Sequence, residues 1–449
     1  MEKIVNLAKR RGFMFAGSDI YGGLANSWDY GPLGAELKKN IKDEWWNRFV
    51  RQRTDMVGID PALIMNPKVW EASGHVKQFA DPLVECVKCH ERFRADQAGK
   101  KCSSCGGEFM PARQFNLLFK TFIGATEEAA TVAYLRGEIA QAMFVDFPAV
   151  LQMTRRTLPF GIAAQGKAFR NEITPGNFVF RTREFDLMEF EYFVREAEWE
   201  KHFEYWLNEM HAWLAHCGVQ KAHYHIHDIP DGERAHYSKR TVDIEYDYPF
   251  GRKELYGLAY RTDFDLQNHA KASGADMAYT DPETGVKIMP HVIEPSFGLD
   301  RTVLVAMLEA YTEEKLETRP PVGGSKLETD GVKSEDSEDD VRTVLKFPHW
   351  MAPYKAAVLP LSKKEELTKI AEPLYAELRK IMMCDYDETQ SIGKRYRRQD
   401  EIGTPYCVTV DFETPKDGCV TVRDRDSMAQ ERIKITDLVK FFHAKYAVK

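Results

Sequence analysis

No apolar run in these 449 residues approaches the roughly 20 that a membrane-spanning helix requires. Charge of one sign is missing as well: 62 lysines and arginines stand against 69 aspartates and glutamates, a formal net of −7. Nothing therefore draws the whole chain to nucleic acid or to an anionic membrane, and any polyanion contact must come from a local basic patch. The segment Met1–Arg10 has neither the apolar core of a signal peptide nor an acid-free transit composition, so the expected location is cytoplasmic, with no membrane partner. Cysteine is sparse: eight in a chain this long do not make a disulfide framework. What is present is ordinary for a globular chain, 43% hydrophobic and 29% charged residues. The length bounds the molecule at about two to four domains.

The stretch Lys167 to Glu189 carries the densest chemistry. Phe169-Arg-Asn-Glu172 reads as a strand end, Pro175-Gly-Asn177 as a turn, and Phe178 onward as a returning strand. Side chains repeat every two residues along a strand, so Arg170 and Glu172 share a face, as do Arg181, Arg183, Phe185 and Glu189. A solvated charged hairpin and a ligand-binding sheet surface both fit that pattern. Downstream, Glu254 to Asp265 reads as a strand carrying acids and Arg261. Met289 to Arg301 reads as strand, Gly298 turn and helix start, a combination of backbone N–H groups and guanidinium that suits phosphate.

Four cysteines cluster as Cys86-Val-Lys-Cys89, twelve residues, then Cys102-Ser-Ser-Cys105. Two such knuckles suit tetrahedral thiolate coordination of zinc, with redox disulfides as the alternative. All four ligands would come from the protein, leaving no open position, so the zinc is expected to be structural or to help grip a polymer. The remaining cysteines, Cys217, Cys384, Cys407 and Cys419, read as small core residues. His223, His225 and His227 alternate on one strand face and could be a metal site or merely exposed histidines.

Elsewhere the periodicities are those of a core. A short helix near the N-terminus places Ile4, Val5, Leu7 and Ala8 on one side, and Pro32 begins a second with Leu33, Leu37, Ile41, Trp45 and Phe49 four residues apart. That stripe fits packing on a sheet or a subunit interface. Glu138, near a helix start, fits a cap. Residues 197–217 form an amphipathic helix. The segment 312–345, with Pro320-Pro-Val-Gly-Gly-Ser325 and the acidic run Ser334 to Asp340, is expected to be a flexible linker. Strands and helices then alternate, with strands at 355–361, 407–411 and 419–423 and helices at 363–381 and 431–447. Lys394-Arg-Tyr-Arg-Arg398 there fits either phosphate and base contact or a solvated basic loop.

Together these motifs resemble class II aminoacyl-tRNA synthetases, and among them the homodimeric glycyl-tRNA synthetases, over about residues 1–311 and 346–449. Trp28 to Gly34 with its helix resembles the family's first motif, Phe169 to Phe185 its second, and Pro295 to Arg301 its third. Ser73-Gly-His75, Arg94-Ala-Asp96, Leu135-Arg-Gly-Glu138 and Glu294-Pro-Ser296 resemble its glycine-specific elements. The resemblance implies an α+β fold: a class II antiparallel sheet with flanking helices over 1–311, a zinc-ribbon-like insert at 84–108, an acidic linker at 312–345, and a C-terminal α/β anticodon-binding domain at 346–449. It also implies glycyl-adenylate formation from glycine and ATP, transfer to tRNA(Gly), a homodimer using the Trp-rich helix, and Mg²⁺ accompanying ATP.

Carried onto this sequence, Arg170 holds the α-phosphate and Arg181 and Arg301 the distal phosphates, with Arg170 and Arg301 as the catalytic pair. Phe185 stacks under adenine and Glu172 accepts from its amino group, while Asn171, Phe180, Leu255 and Gly298 complete the ATP site. Glu254 is the Mg²⁺ carboxylate. Glu138, Glu189 and Glu294 take the glycine ammonium, and Ser296 adds a hydrogen bond. Phe185 and Gly298 border the amino acid, and Arg94 or Arg261 meets its carboxylate or balances the acids. The chain departs from the family at Gly137, Ile139 and Ala142, where Pro, Thr and Gly are usual. A prolyl- or threonyl-type synthetase and a non-catalytic RNA-binding relative are the competing readings.

Overall fold

The alternation along Glu184–Val194 sorts its surroundings into two layers. In the computed structural model, which describes residues 1–125, 131–235, 237–315 and 341–446, this strand lies inside a seven-stranded sheet. Its even-numbered side chains turn toward aromatic rings: Phe190 lies 4.5 Å from Trp206 and 6.0 Å from Trp45. Its odd-numbered side chains, Phe185, Leu187, Glu189, Glu191 and Phe193, turn toward the helix Ala140–Thr154, where Phe193 meets Phe147 at 4.5 Å. Both faces therefore pack apolar layers, and the odd-numbered one also carries the buried acids Glu189 and Glu191.

The sheet runs in the order Tyr224–Asp228, Arg240–Tyr248, Gly251–Thr262, His291–Gly298, Glu184–Val194, Phe160–Phe169, Met56–Gly58. All neighbours are antiparallel except the last pair. Register places Glu189 opposite Ser296 on one side and Ala164 on the other, and Ala259 opposite Glu294. These pairings assemble the site from four segments far apart in sequence.

By contact, the chain divides into two compact units. One comprises residues 14–29 and 41–305; the other comprises 2–13, 30–40 and 306–449. Segments 2–13 and 30–40, inside the 1–311 span expected for the catalytic domain, thus cluster with the C-terminal unit. That unit is built on a five-stranded sheet ordered Cys384–Tyr386, Ala356–Pro360, Tyr406–Val410, Cys419–Asp424, Gln430–Lys434. Its first three strands are parallel and the rest antiparallel. Helices Glu365–Leu378 and Ile435–Tyr446 cover it with Leu367, Leu374, Leu378, Leu438 and Phe442.

Several expectations change. The final helix begins at Ile435, because Gln430–Lys434 pairs as an edge strand with only Ile433 turned inward. Ile381, expected inward, lies beyond the helix end and is 40% exposed. The basic run Lys394–Arg398 is part of the helix Ile392–Ile402, not a loop. Arg395 is buried and donates to the carbonyls of Pro360 and Leu361, and Tyr396 bonds Thr409. Both ends of the expected linker are strands, Tyr311–Lys315 pairing with Val341–Leu345. The acidic run at 324–340 lies outside the described residues.

The Trp-rich stripe also resolves. Leu37, Ile41 and Trp45 are fully buried and Phe49 nearly so within the single chain. Trp45 and Phe49 pack on Phe297 at 5.8 and 5.3 Å. The stripe Leu33, Leu37, Ile41, Trp45 and Phe49 is thus covered within the chain, while Trp46 beside it is half-buried. Phe49 also touches Phe190, Trp206 and Trp213. Phe49→Ala is accordingly expected to cost about 3–5 kcal/mol, read as a lowered midpoint in denaturant unfolding.

Candidate active site

A cleft opens on the acidic face of the sheet, lined by residues of Glu184–Val194, Gly251–Thr262 and His291–Gly298. One wall comes from the loop joining Phe160–Phe169 to Glu184–Val194. The returning strand begins at Glu184, not Phe178, because Phe178–Phe180 form a short 3-10 turn. Gly176 and Arg181 exchange backbone hydrogen bonds of 2.9 and 3.2 Å that close the loop. Asn177 and Phe178 carry φ of 57° and 60°, a conformation that asparagine tolerates and phenylalanine adopts only under constraint. The constraint is Asn26, whose amide donates to the carbonyls of Phe178 and Arg181 at 2.8 and 2.7 Å. Strand parity does not govern such a loop. Arg181 lines the cleft, while Arg183 turns to the Ala25 carbonyl.

Three guanidinium groups converge here. Arg170 donates to the Gly137 carbonyl at 3.1 Å and lies 5.1 Å from the Phe79 ring and 5.4 Å from that of Phe185. Arg181 stands 4.0 Å from Glu172. Arg301, in the first turn of Leu299–Ala310, stands 3.2 Å from the half-exposed Glu254 carboxylate and 4.5 Å from the Phe180 ring. Its helix start is held because Asp300 accepts from the Asp186 amide at 2.6 Å. Leu255, Ser296 and Gly298 also line the space. At Gly298 an added Cβ would meet only the Arg301 side chain, at 3.6 Å, so any side chain there would occupy the cleft. Asn171 does not line it; its amide donates to Leu117.

Acids form the floor. Glu189 accepts from Ser296 Oγ at 2.6 Å and from the Ile139 amide at 3.2 Å, at the start of Ala140–Thr154. Burial, reinforced by the charge of Glu138, raises its carboxyl above the usual range despite those two donors. Glu138 and Glu294 sit behind Glu189 and do not line the cleft. Glu138 makes no capping bond; it faces His75 Nε2 at 3.2 Å and Gln141 Nε2 at 3.0 Å. Burial would raise it, but the charge and hydrogen bond of His75, with Arg261 and Gln141, hold it well below the carboxylate range. The preceding loop is anchored by the buried Arg136, which donates to Lys167 and Pro61 carbonyls. An added Cβ at Gly166 would lie 2.4 Å from its guanidinium.

Arg261 is fully spent. Its Nη1 is shared by both oxygens of Glu294 at 2.9 and 3.0 Å, and its Nε and Nη2 grip Asp265 at 2.8 and 3.0 Å. It balances acids and does not face the cleft. Arg94, in the three-stranded sheet, pairs with Asp81 and Asp96 and is near enough to the cleft wall for Glu172 to raise its guanidinium further. Sequence reasoning missed Glu191, which parity places on the same face as Glu189. It is buried, both its oxygens lack a hydrogen-bond partner, and burial together with Glu294 raises its carboxyl well above the usual range. Thr182, Val179 and Asp300 also border the cleft without any distinguishing sequence signal.

The four clustered cysteines come together. Their sulfurs all lie within 4.8 Å of one another, with Cys86–Cys105 at 3.5 Å and Cys89–Cys102 at 3.6 Å, and all are free thiols. Tetrahedral thiolates about 2.3 Å from one zinc would stand about 3.8 Å apart, so the set fits a metal. It is the sole such group among the described residues. His225 and His227 instead face Asp247 and Glu245 at 2.7 and 3.4 Å on the strand pair's solvent side. Cys217, Cys384 and Cys407 are buried and Cys419 partly so. No helix among the described residues is long and apolar enough to cross a membrane.

Comparison with known proteins places this geometry. Residues 134–311 match the tRNA synthetase class II core domain (G, H, P, S and T), and residues 355–445 match the anticodon binding domain. The glycine--tRNA ligase of Acetivibrio thermocellus is 50% identical over 479 residues, covering 99% of this chain and 98% of that protein. That of Geobacillus thermodenitrificans is 50% identical over 477 residues, covering 100% and 98%. A prolyl-tRNA synthetase of Cryptosporidium parvum, solved with L-proline and AMP, aligns with a TM-score of 0.61 at 14% identity, over 98% of this chain and 77% of that one. That last likeness shows the fold alone. Identity of one half along essentially the full length, on a class II core followed by an anticodon-binding domain, shows that the chain belongs to the glycine--tRNA ligase family of class II aminoacyl-tRNA synthetases.

Proposed function

We propose that the cleft between Arg170, Arg301 and Glu189 is where this glycine--tRNA ligase carries out both of its steps. The family reaction activates glycine with ATP to glycyl-adenylate and pyrophosphate, then esterifies the terminal ribose of tRNA(Gly). The observation carrying the assignment is the meeting of three guanidinium groups with the Glu189–Ser296 pair in one cleft.

Neither step needs a protein nucleophile. The glycine carboxylate attacks the α-phosphorus, and positioning plus charge neutralisation at phosphorus supply the acceleration. Arg170 neutralises the α-phosphate, and Arg181 and Arg301 hold the distal phosphates. Adenine stacks on Phe185 with its amino group donated to Glu172, beside Phe180 and Leu255. The ammonium of glycine seats on Glu189 and Ser296, with Glu138 and Glu294 supplying negative charge from behind. Gly298 leaves the room that the adenylate needs. Glycine has no side chain to grip, so selection comes from a floor too tight for a methyl group, where overpacking costs about 1–3 kcal/mol. In the second step the tRNA terminal hydroxyl attacks the adenylate carbonyl and AMP leaves.

Class II synthetases use ATP with Mg²⁺. Glu254 suits that ion: it is a half-exposed oxygen ligand at the phosphate end, and Mg²⁺ is commonly held by one or two carboxylates together with substrate phosphates. When bound, the ion supplies charge neutralisation on those phosphates. Zinc at Cys86, Cys89, Cys102 and Cys105 would be structural, since four protein thiolates leave no open position. We assign the span 1–311 to catalysis, with 84–108 as a zinc-ribbon-like insert and with 2–13 and 30–40 clustering with the C-terminal unit, 312–345 to a connection whose two ends pair as strands, and 346–449 to anticodon binding. The enzyme is proposed to act as a cytoplasmic homodimer.

Glycine-dependent ATP–pyrophosphate exchange, followed by charging of total tRNA, tests the whole reading; no exchange with glycine would overturn it. Glu189→Gln is expected to raise KM for glycine by about 10- to 100-fold, the cost of a charge-assisted hydrogen bond, with KM for ATP little changed. Equal losses for both substrates would count against the assignment. Metal analysis is expected to find one zinc per chain that is lost in Cys102→Ser, with earlier thermal unfolding of the insert and no change in the exchange chemistry of the residual folded enzyme.

A further inference from the structure

A side chain from well upstream is bonded into the loop that carries Phe180 and Arg181. Asn26 has φ of 51°, in the left-handed region that asparagine enters more readily than most residues. Its Oδ1 lies 2.9 Å from Trp28 Nε1, and an indole N–H can only donate. The amide orientation is thereby fixed. Oδ1 faces the indole, and Nδ2 turns its two hydrogens to the carbonyls of Phe178 and Arg181, at 2.8 and 2.7 Å. The Trp28 ring itself stands edge-on to the Phe178 ring, with 4.6 Å between centroids. Asparagine suits all of these demands at once: aspartate would turn an oxygen toward two carbonyls, and glycine has the backbone freedom without the donors.

We propose that Asn26 is a positioning residue for the ATP end of the cleft: its amide, oriented by Trp28, holds Phe180 and Arg181 where the nucleotide meets them. The inference rests on the proposed roles of those two residues toward ATP.

The loop needs such a hold. Phe178 has φ of 60°, a conformation that phenylalanine leaves when nothing constrains it. Val179 and Phe180 lie between the two bonded carbonyls, and both line the cleft together with Arg181. The Phe180 ring is also where the Arg301 guanidinium rests, at 4.5 Å. A loop released from Asn26 would therefore displace Arg181 directly and take from Arg301 the ring that it packs on. The amino-acid end is held by other contacts. Glu189 is fixed by Ser296 Oγ and the Ile139 amide, neither of which belongs to this loop. Loss of the amide should accordingly fall on one substrate and spare the other.

The test is KM for ATP and KM for glycine in ATP–pyrophosphate exchange, for the parent enzyme, Asn26→Gly, Asn26→Asp, Trp28→Phe and Arg181→Ala. Asn26→Gly keeps a backbone that accepts positive φ and removes only the amide. It should raise KM for ATP roughly tenfold, within the worth of two hydrogen bonds, with KM for glycine unchanged. Asn26→Asp should raise KM for ATP further, because it sets an oxygen against the two carbonyls. Trp28→Phe keeps a ring against Phe178 and removes the donor that orients the amide. It should give a smaller rise in KM for ATP, and serves if the Asn26 variants do not fold. Matching rises in both KM values in Asn26→Gly and Trp28→Phe, as general loosening of the fold would give, would overturn the inference. So would unchanged KM for ATP in both while Arg181→Ala is impaired. Unchanged KM for ATP in Arg181→Ala itself would instead overturn the reading of the loop as part of the ATP site.

Discussion

A single buried guanidinium sets the terms for the acidic floor. Arg261 is 1% exposed and binds Asp265 from the adjoining helix and Glu294 from the neighbouring strand. Charge taken that far from water is tolerated only when every donor is met, and removing one partner of such a pair commonly costs about 3–5 kcal/mol. By fixing Glu294 it also fixes what remains for a ligand. Glu189 receives only two neutral donors, and Glu191 receives none. On the proposed assignment, the cation that meets this cluster is the ammonium of the amino-acid substrate.

The cleft extends that logic to its other end. Arg170, Arg181 and Arg301 face acids or carbonyls in the free protein: Gly137 O, Glu172 and Glu254. Each is held at its post by a partner that a phosphate could replace or join. The structure thus presents positive charge where a triphosphate is expected and negative charge where an ammonium is expected, on one face of one sheet.

Much of this was legible in the chain. The periodicity of Glu184–Val194, the cysteine spacing and the Gly298–Arg301 helix start each predict a local geometry, and the structure has it. What failed was local pattern applied outside regular structure. Parity was extended across Phe178–Arg183, a constrained turn where it has no meaning. Gln430–Lys434 was absorbed into a helix because pairing with Cys419–Asp424 is invisible in a single segment. The Leu37–Phe49 stripe shows the limit from the other side: amphipathicity says that a face is covered, not by what. Glu191 was one parity step from Glu189, and only its burial without partners sets it apart.

The two-residue repeat of the central strand has an evolutionary edge. Phe190 belongs to the aromatic layer and its neighbours Glu189 and Glu191 to the acidic one, with Glu189 opposite Ser296. A slip of a single residue between Glu184–Val194 and either neighbour would thrust carboxylates among Trp45 and Trp206 and turn phenylalanine toward the substrates. Misfolding by register and loss of amino-acid recognition are therefore the same event. Insertions and deletions within this strand should be purged on both counts at once, and variation in the protein must be carried by its loops.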